Sequence, residues 1–282
     1  MIRASQSHAA LLADIRGSNR EDRGFRLWWL GQSGFLLQWQ GVHVLLDPYL
    51  SDSLTRKYSQ TDKPHVRMTE LVVDPTELSF VNVATSSHNH TDHLDAETLG
   101  PILARNPSMK LVIPEANRAF VADRLQIDAV IPVGLDDGVT IELSGIQFSG
   151  VASAHENIEH DELGHVKALG YVLRFGQWSL YHSGDTLRYE GMAEKLRPFE
   201  VDVALLPING RAPERRVAGN LSGAEAAELA HDMGAKLVIP CHFDMFEFNT
   251  ATPDLFIESC HRRSQPFRIL RCGERFDWDG KS

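Results

Sequence analysis

His88, His90, Asp92 and His93 fall within the run Ser86-Ser87-His88-Asn89-His90-Thr91-Asp92-His93-Leu94-Asp95. Imidazole and carboxylate lone pairs at this spacing can hold divalent cations. Phe80, Val81, Val83 and Ala84 lead into the run with β-type chemistry. A helical pattern follows it, with Asp95 as N-cap for Ala96-Glu97-Thr98-Leu99 and onward. The run therefore lies on a strand-to-helix turn, where side chains project beyond a sheet edge. Residues two apart in an extended segment point the same way, so His88 and His90 can grip one ion. Asp92 and His93, past the turn, can aim at a second. A structural zinc site is usually closed, four-coordinate and rich in Cys, and no Cys lies near this run. A solvated loop has no reason to space three histidines in this way.

Two ions need further ligands, and those come from His and Asp at other strand ends. Asp185 follows Ser183-Gly184 and the strand Trp178 to Tyr181. Its two oxygens can bridge ions about 3.5–4 Å apart. His242 follows the strand of Leu237-Val238-Ile239, and His155 follows a strand ending near Ala152. His160, His165 and His182 compete with His155 for the last place. His8, His43, His65, His231 and His261 read as surface or ordinary structural histidines.

The elements that must position these residues are legible in outline. A short amphipathic helix opens the chain. Strands at Phe25 to Leu30, Phe35 to Trp39 and Val42 to Leu46, joined by tight turns, form an antiparallel meander. Ser51 to Thr76 is a polar, Pro-punctuated loop at the mouth of the site. Further strands are expected at Leu111 to Ile113, Val130 to Val133, Val139 to Leu143, Ile146 to Ala152, Ala168 to Phe175, Val201 to Leu206, Phe267 to Leu270 and Arg275 to Trp278. Helices are expected at Glu115 to Leu125, near Tyr189 to Leu196, after a capping box of Ser222 with Glu225, and from Pro253. Strand runs interleaved with helices imply two sheets packed face to face and covered by helices, an α/β fold.

With 282 residues, 43% hydrophobic and 23% charged, the chain has ordinary globular composition and can build a core without disulfides. No linker or repeat divides it, so residues 1–24 read as a helical N-terminal extension and 25–282 as a single domain. The net charge of -10 disfavours nucleic acid and anionic membranes as partners. Homo-oligomerisation is left open by composition. Three cysteines without metal-type spacing suit a reducing compartment. The apolar run Ala9 to Ala13 is too short for a signal or a membrane span. A cytoplasmic protein is expected.

The chain resembles the metallo-β-lactamase superfamily from Trp29-Leu30-Gly31 to its end. The residues that carry the likeness are Trp28-Trp29-Leu30-Gly31, His88 to Asp95, Leu180-Tyr181-His182-Ser183-Gly184-Asp185, and Ala235-Lys236 through Pro240 with His242. Within that superfamily it is similar to the L-ascorbate-6-phosphate lactonases and their relatives, although Ser51 to Glu77 shows little likeness to them. The resemblance implies a four-layered αββα sandwich of two mixed sheets flanked by helices. It also implies one metal on His88, His90 and His155, a second on Asp92, His93 and His242, and a bridging Asp185. Asp47 matches an aspartate that orients a ligand imidazole.

Two divalent ions set against Asp92, Asp185 and a hydroxide leave the site at about +1, which favours an anionic substrate. Asp92 and Asp185 are the catalytic candidates, with Asp92 handling the proton of the attacking water. Oxygen-reducing diiron members of the superfamily carry Glu where this chain has His90, so hydrolysis is favoured over redox iron. The expected cofactors are Zn²⁺ or Mn²⁺, with Fe²⁺ also compatible. Asn209, Arg211, Arg215 and Asn220, after the strand ending at Leu206, are the candidates for binding substrate, with Arg216 beside them. The leading reading is a hydrolase of a small anionic ester, a phosphorylated, sugar-like lactone foremost. The alternatives are a phosphodiesterase acting on a phospholipid or other phosphodiester, and a non-enzymatic metal-binding sensor or scaffold.

Overall fold

The computed structural model describes residues 1–18 and 24–280. The stretch 19–23 of the expected N-terminal extension and the last two residues of the expected domain lie outside the described residues. Helix α1 (His8–Ser18) turns Leu11, Leu12 and Ile15 into the same core as the strands that follow. Then come β1 (Phe25–Gly31), β2 (Gly34–Trp39), β3 (Val42–Leu46), α2 (Ser53–Lys57) and β4 (Val83–Thr85). Helix α3 (Ala96–Arg105), β5 (Lys110–Pro114), α4 (Arg118–Leu125) and β6 (Val133–Leu135) complete the first half. The second half runs β7 (Thr140–Leu143), β8 (Ile146–Ala152), β9 (Leu169–Phe175), β10 (Trp178–His182), α5 (Met192–Leu196), β11 (Val203–Pro207), α6 (Gly223–Met233), β12 (Leu237–Cys241), α7 (Asp254–Arg263) and β13 (Arg275–Trp278).

Two mixed sheets result. One has the order β13-β1-β2-β3-β4-β5-β6, the other β12-β11-β10-β9-β8-β7. The meander of β1, β2 and β3 is antiparallel, and β3 to β6 run parallel through the crossovers α3 and α4. Every residue of β1 is buried, as are those of β11 and β12, because these strands are covered on both faces. Helix α6 packs on β11 and β12 and against α7. Its capping box forms as the sequence predicts, with Ser222 Oγ accepting from Glu225 N and the Glu225 carboxylate accepting from Ser222 N.

Three local expectations are corrected. Phe267 makes only an isolated bridge to Val238 and no strand forms to Leu270, since Pro266 has no N–H to extend the ladder. Val130 and Ile131 are drawn into a turn in which both their N–H groups donate to Asp128, so the strand starts only at Val133. Asp95 stands at the N-cap of α3 but does not cap it through its side chain. That carboxylate instead accepts from Ser51 Oγ (2.7 Å), Ser53 Oγ (2.8 Å) and Thr98 Oγ1 (2.6 Å), which ties the polar 51–76 segment to the start of the helix.

The topology determines where function can sit. β1, β3, β4, β5 and β6 all point one way in the first sheet, and β8, β10, β11 and β12 share a direction in the second. The loops after β1, β3, β4, β8, β10 and β12 therefore emerge at carboxyl ends of parallel-running strands, where α/β sheets bind ligands.

On the opposite flank of β3's start, His43 is buried beside Phe80, and its Nε2 has no hydrogen-bond partner. Burial pushes its pKa down to about 4, against the opposing backbone bond to Gly41. In the unfolded chain the ring protonates near its usual pKa of about 6.5. Stability is thus intact above about pH 6.5, is lost as pH falls toward 4, and levels off below it. We expect His43→Phe to abolish on the order of 3 kcal/mol of this acid-dependent loss. Denaturant unfolding of both proteins at several pH values between about 7 and 4 measures it, and parallel pH profiles would contradict it.

Candidate metal centre

Each functional side chain enters from a strand end. β4 stops at Thr85, so His88 and His90 lie on the expected strand-to-helix turn but not in the extended backbone expected to aim them together. They lie in a wrapped loop closed by bonds from His93 N and Leu94 N to His90 O. His155 follows β8, Asp185 follows β10 and His242 follows β12. Gly184 has φ +59, and a Cβ there would lie 2.5 Å from Ser87 Cβ, so only glycine lets the β10 end pass against the β4 loop.

The ligand atoms converge in two groups, each with its atoms within 4.8 Å of one another: His88, His90, His155 and Asp185, and then Asp92, His93 and His242. Asp185 spans the two. Its Oδ1 is 3.2 Å from His93 Nε2, and its Oδ2 is 3.2 Å from His242 Nε2 and 3.7 Å from His155 Nε2. His155 Nε2 lies 3.0 Å from His90 Nδ1. Of His155, His160, His165 and His182, the structure brings His155 to the cluster. His182 is buried and bonds Ser33 O through Nε2, His165 contacts Asp161, and His160 is exposed.

Asp47 Oδ2 lies 2.7 Å from His93 Nδ1. An ionised carboxylate only accepts, so Nδ1 carries a proton, and Nε2 is the atom whose lone pair is freed for the cluster when a cation displaces the ring's second proton. Asp47 is itself held by Ser87 N (3.0 Å), Ser87 Oγ and Thr85 Oγ1 (3.0 Å). The carbonyl of Gly219, 3.2 Å from His155 Nδ1, selects the same tautomer for that ring.

Burial lowers the pKa of His88, with help from the His93 and His90 rings, and takes His155 down to about 4. The same burial opposes protonation of His93 and His242. The Asp185 and Asp92 carboxylates outweigh it, raising His93 well above its usual range and His242 to about 9. Asp185 mirrors this: burial raises its pKa, but His242 and His93 more than reverse the effect. The cluster thus demands positive charge at its centre. His88 Nε2 is buried without a hydrogen-bond partner, and His93 Nε2 and Asp185 Oδ1 have only each other, 3.2 Å apart, a costly state for polar atoms unless something else binds them. This donor set fits divalent cations on imidazole and carboxylate ligands. His88, His90, His155, Asp92, His93 and His242 would hold them, with Asp185 shared.

The other expected substrate residues are engaged elsewhere. Arg211 makes a two-pronged bond to Glu225 of the α6 capping box. Arg215 braces Asn209 O and Thr250 O, Arg216 pairs with Asp62, and Asn220 bonds Asn209, which bonds Asn249. None of these five lines the cavity above the cluster; local ion pairs and loop bracing have claimed them. Lys57, Tyr58, His65, Arg124, Phe246 and Phe248 do line it. His65 is therefore a cavity wall, not a surface histidine. Gln32 was also not anticipated: its Nε2 donates to Asp92 Oδ2 (2.7 Å), and its carbonyl accepts from His242 N (3.0 Å). The available signal was its place in the turn Gly31-Gln32-Ser33-Gly34 at the end of β1.

Residues 26–242 match the beta-lactamase superfamily domain, and the chain belongs to that family. It is a metal-dependent hydrolase of the metallo-β-lactamase superfamily. A metal-dependent hydrolase of Opitutus terrae is 30% identical over 256 residues, covering 89% of this chain and 99% of the relative. Among solved structures, a possible metal-dependent hydrolase from Veillonella parvula superposes with a TM-score of 0.72 at 16% identity, covering 91% of this chain and 100% of the other. An isothiocyanate hydrolase from Delia radicum gut bacteria gives 0.71 at 17%, with coverage of 91% and 100%. At such identities these two structures speak for the architecture alone.

Asp47→Asn can turn an amide N–H toward His93 Nδ1 and so favour the wrong tautomer. We expect metal affinity to fall about 10–100-fold, read by competition with a chelating dye. Unchanged affinity would remove Asp47 from the account.

Proposed function

We propose that this hydrolase cleaves a small anionic ester, a lactone foremost, using two divalent cations, zinc or manganese. The observation that carries the reading is Asp185, shared between two groups of ligand atoms at the floor of a cavity of about 240 Å³ with Lys57 and Arg124 on its wall. That volume, below the usual range for drug-sized ligands, sets the size of the part of the substrate held directly over the cluster. The cations, when bound, would lower the pKa of water toward neutrality and stabilise negative charge developing on the substrate oxygen.

The chain's own groups divide the remaining work. Lys57 and Arg124 attract the anionic part of the substrate into a protein that is acidic overall. Asp92 is the cluster carboxylate most open to the cavity, its side chain 16% exposed against 4% for Asp185. It is held by Gln32 in a fixed orientation. It is placed to take the proton of the attacking water and to pass it to the departing alkoxide. The C–O bond of the ester breaks, and acid and alcohol result. All three cysteines are unpaired and buried, which supports a reducing compartment such as the cytoplasm as the place of work. Among the described residues no helix is long and apolar enough to cross a membrane.

The test is a panel of carboxylate- and phosphate-bearing lactones, with open esters and phosphodiesters alongside. Lactones or esters should turn over, and Asp185→Asn should lower kcat/KM by about 10²–10³-fold. A metal-loaded protein that cleaves only phosphodiesters would redirect the reading. Equal rates for wild type and Asp185→Asn would end it.

A further inference from the structure

A second cavity adjoins the one above the cluster. It has a volume of about 340 Å³ and is also lined by Asn89, His90, His155 and Ala218, so the two meet across the His90–His155 pair. Their linings differ in aromatic content. The second is walled by amides and charged groups, including Asn117, Glu156, Asn157, Glu159 and Lys167. The first carries a continuous aromatic wall. Tyr58 and His65 stack with centroids 4.2 Å apart and planes at 18°, and His65 meets Phe248 at 4.5 Å and Phe246 at 5.2 Å. Leu54 and Val217 extend the apolar surface, and the Lys57 ammonium lies 5.2 Å over the Tyr58 ring. Arg124 closes the other side, its Nη1 donating to Asn89 O at 2.6 Å.

Resting on the hydrolytic reading of this site, we propose that the aromatic lobe is a specificity subsite for a planar ring bearing an anionic group. The rest of the substrate would extend past His90 and His155 into the polar lobe. Aromatic rings inclined to one another along this wall reward an aromatic partner, because rings pack best offset or edge-on against another ring. Lys57 on one side of the lobe and Arg124 on the other each offer the ring's anionic substituent a partner. Among the described residues no Phe, Tyr or Trp lines the second lobe, so the aromatic partners for a ring lie in the first. Tyr58 and His65 come from the segment 51–76, and Phe246 and Phe248 from the loop after His242. The subsite therefore forms only where these two loops meet.

Calorimetric binding of benzene-1,3-dicarboxylate and cyclohexane-1,3-dicarboxylate to the protein as purified tests the subsite without turnover. Both probes are dicarboxylates that carry two negative charges at neutral pH, and they differ chiefly in whether the ring is flat. Wild type should favour the arene about tenfold. Tyr58→Leu and Phe248→Leu, at half-buried positions, should each erase most of that preference while leaving the cyclohexane affinity within about twofold, which also shows that they fold. In turnover, both variants should raise KM for a carboxyphenyl ester about tenfold, and much less for its cyclohexyl counterpart. Equal affinity of wild type for the two probes, or variants that keep the preference, overturns the subsite. An arene preference in a protein that cleaves no ester upholds the subsite and sinks the ester reading. Ester turnover without ring discrimination does the reverse.

Discussion

Asp185 is almost wholly shut away from water, with imidazoles on both sides, and the fold has to hold it there. Moving a carboxylate out of water costs several kcal/mol unless charge and hydrogen bonds replace the lost solvation. Here the replacement is electrostatic: His93 and His242 carry their protons well above the usual pH range because Asp185 and Asp92 hold them there. Bound cations would take over that task from the protons. This makes the centre a site where metal uptake and proton release are one event.

The two sheets exist, for function, to bring their strand ends to this point. Four of the residues that turn the chain there have left-handed backbones: Gln32 (φ +50), Asp47 (+40), Gly184 (+59) and His242 (+60). Three of the four are not glycine, and each such residue stores strain that its neighbours must offset. Asp47 is pinned by Ser87 and His93, and Gln32 by Trp29, His242 and Asp92. The hydrogen-bond web around the cluster therefore both positions ligands and maintains backbone shapes that the residues would not choose alone.

Much of this was legible from residue order. The cluster His88 to His93 and the turn Ser183-Gly184-Asp185 show themselves through rare residue types at strand ends. The β1–β3 meander and the Ser222 capping box follow from local chemistry. What escaped was set by tertiary contacts. Nothing in the residue type announces a left-handed Gln32, and a half-buried His65 looks like any surface histidine until Tyr58 stacks on it. Arg211 looked suited to substrate because it follows a strand end, but Glu225, fixed by the α6 cap, sits within reach and takes it. Spacing alone has His88 and His90 face one way through extended backbone on the strand-to-helix turn. A loop wrap does that work instead.

Elemental analysis of protein purified without chelator or added metal tests the central claim most directly. If cations occupy the centre on either side of Asp185, wild type should carry about two divalent ions per chain, and Asp185→Ala should retain one or none. Folded wild type with no tightly held metal, or a variant with undiminished metal content, would contradict the account.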